Sequence, residues 1–142
     1  MAQDVLPDAN SEYGARVRDR LTTDKTVWLT TIGKDGTPQP NPVWFLWDGA
    51  DSVLIYNRAD AARLNHIRNR PRVALNFDST QGGNVVVLTG TAELVEAPPS
   101  NENPEYQAKY AAAAARISGD AESFARAYPV PLRVTFTKVR GF

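Results

Sequence analysis

Three strand-like runs fill residues 26–57, and the turns joining them are too short to hold a crossover helix. Thr26-Val-Trp-Leu-Thr-Thr-Ile32 is dense in β-branched and aromatic residues, which crowd a helix but pack well on a pleated surface. It ends at Gly33-Lys-Asp-Gly36, a hairpin signal. The chain returns over Gln39 to Trp47, and Asp48-Gly-Ala-Asp51 turns it again into Ser52 to Asn57. Runs joined so tightly must pair antiparallel, because parallel neighbours need a dozen or more connecting residues. Pro38, Pro40 and Pro42 carry no amide donor, so the start of the returning run belongs at a sheet edge or bulge, or pairs irregularly.

The rest of the chain adds strands and helices to this meander. Before it, Tyr13, Val17 and Leu21 stand four apart, so Ser11 to Thr22 reads as an amphipathic helix across one barrel end, with Asn10 or Ser11 as its cap. After it, Asp60 is positioned to cap a helix from Ala61 to Asn69, which Pro71 helps to end. Arg72 to Asp78 and Asn84 to Val95 are strands flanking a Thr80–Gly83 turn, with Gly90 as a bulge. Asn103 and Pro104 give a cap and first-turn signature for a helix over Glu105 to Ile117; Gly119 breaks it, and Asp120 to Ala127 resumes. Leu132 to Val139 alternates apolar and polar residues as a sixth strand. The pattern predicts a mainly β fold: one domain over residues 1–142, a six-stranded antiparallel split β-barrel with peripheral helices.

Composition narrows the chemistry. The chain has no cysteine, which removes disulfides, thiolate nucleophiles and iron–sulfur clusters, and its single histidine cannot build a histidine-rich metal centre. Net charge is zero, so no global field draws it to nucleic acid or an acidic membrane. Met1 to Asn10 lacks the basic and apolar stretches of a signal peptide, and no apolar run approaches spanning length, so a cytoplasmic protein is expected. One local imbalance remains: Arg58, Arg63, His66, Arg68, Arg70 and Arg72 face a single acid, Asp60. Charge runs are usually solvated. Here, however, Arg63 falls in a helix's first turn, where free amides and a guanidinium together suit a phosphate. No Ser/His/Asp set, acid dyad or metal motif is visible.

The runs Leu29-Thr-Thr-Ile-Gly-Lys-Asp-Gly-Thr-Pro-Gln-Pro-Asn-Pro-Val-Trp-Phe45, Leu54-Ile-Tyr-Asn57, Ala62-Arg-Leu-Asn-His-Ile67, Asn69-Arg-Pro-Arg-Val-Ala-Leu75 and the closing Arg133-Val-Thr-Phe-Thr-Lys-Val-Arg-Gly141 resemble one family in sequence and order. That family is the pyridoxamine 5′-phosphate oxidase-like split barrels. Within it, the chain looks most like the B-type deazaflavin-dependent reductases of actinobacteria. The resemblance covers nearly the whole chain.

It implies an oxidoreductase that takes hydride from reduced coenzyme F420, with FMN as the alternative cofactor, and passes it to an electron-poor small molecule. It also implies a homodimer with the site between subunits. Carried over by position, Asn57, Arg58 and Arg63 would hold the cofactor phosphate, with Asn65 and His66 nearby; Lys stands in many relatives where this chain has Arg63, and Arg-Asn where it has Asn65-His66. Asn41, Pro42, Val43 and Trp44, with Thr30 and Thr31 on the adjacent strand, would build the ring slot. Trp28 and Trp47 read as core. His66 reads as a hydrogen-bonding residue rather than a haem ligand. No catalytic side chain is expected, because the cofactor carries the chemistry while the protein orients and dries the site. The readings outside hydride transfer are a carrier for flavin, haem or a fatty-acid-like ligand and, more weakly, a nucleic-acid binder.

Overall fold

The run from Gln39 to Trp47 changes partners half-way, and that break organises the sheet. In the computed structural model, which describes residues 5–142, the run yields β2 (Pro38–Val43) and β3 (Leu46–Trp47), separated by Trp44 and Phe45. β2 pairs with β1 (Val27–Ile32), Val27 lying opposite Val43 and Ile32 opposite Pro38. β3 instead pairs with β4 (Ser52–Asn57). With β5 (Arg72–Asn76), β6 (Val86–Leu94) and β7 (Val130–Gly141), the order is β2-β1-β5-β6-β7-β4-β3, antiparallel throughout. The two outer strands are thus successive pieces of one run. The sheet curls until its edges come within two residues of each other, giving a split barrel of seven strands where the sequence suggested six.

The prolines explain why β2 is an edge. Backbone donors alternate sides along a strand, so Pro38, Pro40 and Pro42 leave one side of β2 without donors, and the ladder to β1 must use Gln39, Asn41 and Val43. Gly90 supplies the bulge foreseen for β6: its register against β7 shifts between Thr89 and Gly90, where an added Cβ would collide with the Thr135 carbonyl. β7 starts at Val130, two residues earlier than its alternation indicated, because Pro131 is accommodated opposite Tyr56. α1 (Glu12–Thr23) is capped by Ser11, whose Oγ accepts from the Gly14 amide at 2.9 Å, and it buries Val17 and Leu21 in the barrel core. That core also holds Leu29, Val43, Phe45, Val53, Ile55, Leu75, Leu88 and Val134, each such side chain contributing about 1.5–3 kcal/mol of transfer free energy.

A second core lies outside the barrel. β4 is buried along its whole length: Val53 and Ile55 point into the barrel, while Leu54 and Tyr56 point out beneath α3 (Pro104–Ser118) and α4 (Ala121–Ala127). Asn103 and Asp120 cap these helices through the Tyr106 and Ser123 amides, and Gly119, at φ 93°, takes the left-handed turn between them. The helices contribute Tyr106, Tyr110, Ala114 and Phe124 to the outer core. Two expectations fail here. α2 (Ala62–Asn69) begins after Ala61 with no side-chain cap, since Asp60 instead lies 3.4 Å from Arg58. Trp28 is not core: it is 37% exposed and donates its indole N–H to Asp78 at 3.1 Å, while Trp47 is half-buried against the barrel core as expected.

Candidate functional site

Where the run leaves β1 for β4, Trp44 and Phe45 have no strand partner, and α3 substitutes for one. The Phe45 amide donates to the Tyr110 hydroxyl at 3.0 Å; that hydroxyl lies 2.7 Å from the Lys25 carbonyl and 2.9 Å from that of Phe45, which also accepts from Lys109 Nζ at 3.1 Å. Trp44 stacks on Tyr110, with ring centroids 4.8 Å apart and planes 5° from parallel, and on Phe124 at 5.2 Å. The seam is therefore held open in a defined shape by side chains rather than closed by a ladder.

A groove of about 260 Å³ opens beside this seam. Pro42, Val43 and Trp44 form one wall, Tyr106, Phe124 and Tyr128 another, and Thr26, Ile117, Tyr56 and Arg63 complete the lining. Its character is aromatic and apolar with one cation. Arg63 is set by β4 and α2 together: its Nε donates to Asn57 Oδ1 at 2.7 Å, and the fully buried Asn57 donates in turn to the Ile55 and Val130 carbonyls at 3.0 Å each. No ion pair to Arg63 occurs among the described residues, and partial burial lowers its pKa from the ordinary value, with Tyr128 opposing. A half-buried guanidinium oriented by an amide and lacking a carboxylate is suited to an incoming anion. Tyr106 is buried with its hydroxyl pKa pushed far up by desolvation, so it remains a neutral phenol at any physiological pH.

The sequence-derived residues divide. Pro42, Val43, Trp44 and Arg63 converge on the groove, with Asn57 behind Arg63. Thr31 is buried and its Oγ1 lies 2.9 Å from His66 Nδ1, which ties α2 to β1. Thr30, on the opposite face of β1, together with Asn41, Arg58 and Asn65, does not line the groove; Arg58 sits by Asp60 and over the Tyr128 ring at 5.8 Å. The aromatic wall of Tyr106, Phe124 and Tyr128 was missed. Its signal was present in the spacing of aromatics over residues 106–128, but only the docking of α3 and α4 over β4 gives that spacing a site to face.

Residues that would hold a flavin-type cofactor are thus present: a cation without an acid for the phosphate, and an aromatic slot with a proline-interrupted backbone for the ring. The fold has close counterparts. An F420 reductase superposes with a TM-score of 0.66 at 21% identity, over 87% of this chain and 94% of that one. A conserved hypothetical protein of Mycobacterium tuberculosis gives 0.65 at 22% identity over 99% and 88%. HutZ, the haem storage protein of Vibrio cholerae, gives 0.62 at 12% identity over 89% and 92%. No curated protein matches the chain significantly. Residues 14–141 match the model of the pyridoxamine 5′-phosphate oxidase family, and with its split barrel and seam groove this chain belongs to that family.

Proposed function

We propose that the protein is a cytoplasmic homodimeric oxidoreductase that binds coenzyme F420 in the seam groove and reduces an electron-poor small molecule. The observation that carries this reading is Arg63: a half-buried cation, aimed by Asn57, with no ion pair among the described residues, at the rim of an apolar aromatic slot. Likeness to an F420 reductase favours the deazaflavin over FMN. The cofactor supplies hydride; the chain supplies everything else. Arg63 anchors the phosphate, Pro42 to Trp44 flank the ring, and Tyr106, Phe124 and Tyr128 exclude water from the reacting face. His66 acts on position rather than on protons, its Nδ1 being engaged with Thr31. The dimer is supported by Trp28 and Pro42, which are cross-strand partners, both exposed, with Pro42 lining the groove. A second copy laid on this pair would cover the slot.

The test is a fluorescence titration of the purified chain with FMN and with oxidised and reduced coenzyme F420, followed by single-turnover oxidation of the bound reduced form by a quinone. Binding of reduced F420 and its oxidation by the acceptor are expected. Binding of FMN alone, or tight binding of either without turnover, would replace this reading with the FMN enzyme or the carrier.

A further inference from the structure

Beyond Trp44 from the aromatic wall lies a second cavity, about 310 Å³, that differs from the groove in charge. Lys25, Lys109 and Arg116 line it with Trp44 and Tyr110, and among the described residues no acidic side chain does. None of the three cations is in an ion pair among the described residues. Of the acids nearby, Asp24 lies 2.7 Å from Arg20 and partly offsets the charge at Lys109, and Glu105 lines an adjoining cavity that Lys25 and Lys109 also border. Ala112 and Ala113 keep the space open where longer side chains would fill it.

Lys109 is the costly member. Its ammonium sits 3.8 Å from the Phe45 ring centroid, and burial, reinforced by Lys25, lowers its pKa from 10.5 to about 8. Its Nζ donates to the Phe45 carbonyl at 3.1 Å, which leaves further ammonium protons for an anion. The cavity also borders the groove, with Trp44 between them. Trp44 walls both, and Lys25 and Arg116 immediately precede Thr26 and Ile117, which line the groove.

We propose that Lys25, Lys109 and Arg116 form an anion subsite that receives a carboxylate of the substrate whose reducible part lies against Pro42 and Trp44. The substrate class is then an organic acid with a flat conjugated body: the body stacks in the aromatic groove and the carboxylate reaches past Trp44 to the three cations. This assignment rests on the hydride-transfer reading for what happens in the groove, but the anion site itself can be tested without the cofactor.

The probes are 1-naphthoate and its neutral counterpart 1-naphthamide, titrated into the full chain while the indole N–H resonance of Trp44, identified by Trp44→Phe, is followed by NMR. Naphthoate is expected to shift that resonance and to bind at least about tenfold more tightly than the amide, one charge-assisted contact being worth 1.5–3 kcal/mol. Lys25→Gln combined with Arg116→Gln should abolish the preference; both side chains are exposed, so the fold is not at stake. Equal affinity for the two probes, or an undiminished preference in the double variant, overturns the subsite. So does a loss of coenzyme F420 affinity in that variant, which would assign the cations to the cofactor. Failure of the parent chain to bind F420, with the naphthoate preference intact, would instead overturn the hydride-transfer reading.

Discussion

Arg63 and Lys109 are both half-buried cations without an ion pair among the described residues, yet they predict different responses to substitution. Arg63 holds a buried partner. Arg63→Ala should weaken cofactor binding roughly ten- to a hundredfold, the worth of a charge-assisted phosphate contact, and should also lower stability by about 1–3 kcal/mol because Asn57 Oδ1 loses its donor. Arg63→Gln, which keeps an amide donor, should recover part of the stability and little of the affinity; isothermal titration beside urea unfolding separates the two. Equal affinity in parent and Ala variant would remove Arg63 from the site. Lys109 donates to the Phe45 carbonyl, which otherwise has only the Tyr110 hydroxyl, whose single proton the Lys25 carbonyl also draws. Its pKa is lowered in the fold, so between about 8 and 10.5 the unfolded chain carries more protons and stability rises with pH; below 8 both states are charged and the full desolvation cost stands. The stability gap between Lys109→Met and the parent should therefore move in the parent's favour as pH rises from 8 to 10. A constant gap in urea midpoints across that range would mean that Lys109 is not desolvated.

At the level of elements, the seam depends on α3. Tyr110→Phe removes the hydroxyl that takes the Phe45 amide and that lies 2.7 Å from the Lys25 carbonyl and 2.9 Å from that of Phe45, and should cost about 1–3 kcal/mol while raising hydrogen exchange at Phe45 more than in β5 or β6. Gly90→Ala should be similarly destabilising for a different reason, because the added methyl meets the Thr135 backbone and the bulge must re-register; an unchanged thermal midpoint would show that the bulge gives way freely. Elements were largely legible in the sequence because local chemistry decides them. Ser11, Asn103 and Asp120 name their helices' starts, Gly90 names its bulge, and the three prolines name an edge. The partner switch at Trp44 was not legible, since Gln39 to Trp47 keeps strand-like composition throughout and only closure of the barrel forces it to divide. The same applies to the site: Pro42, Val43, Trp44 and Arg63 could be named, but Thr30 and Thr31 cannot both face one groove, because neighbours on a strand point to opposite sides.

For the molecule as a whole, the expected assembly is a twofold dimer at micromolar concentration in sedimentation equilibrium, with Trp28→Glu shifting it toward monomer and weakening cofactor binding together. A monomer that binds cofactor tightly would contradict it. The way such a dimer can form is limited by β2. Its outward side carries carbonyls but no N–H groups at Pro38, Pro40 and Pro42, and the opposite edge, β3, is only two residues long. Both margins are poor templates for a further strand, so a dimer is expected to form without extending the sheet, and the chain is guarded against the runaway edge-to-edge polymerisation that open sheets invite. The prolines that leave the outer side of β2 without donors therefore act twice, ending the sheet and denying its margin to another chain.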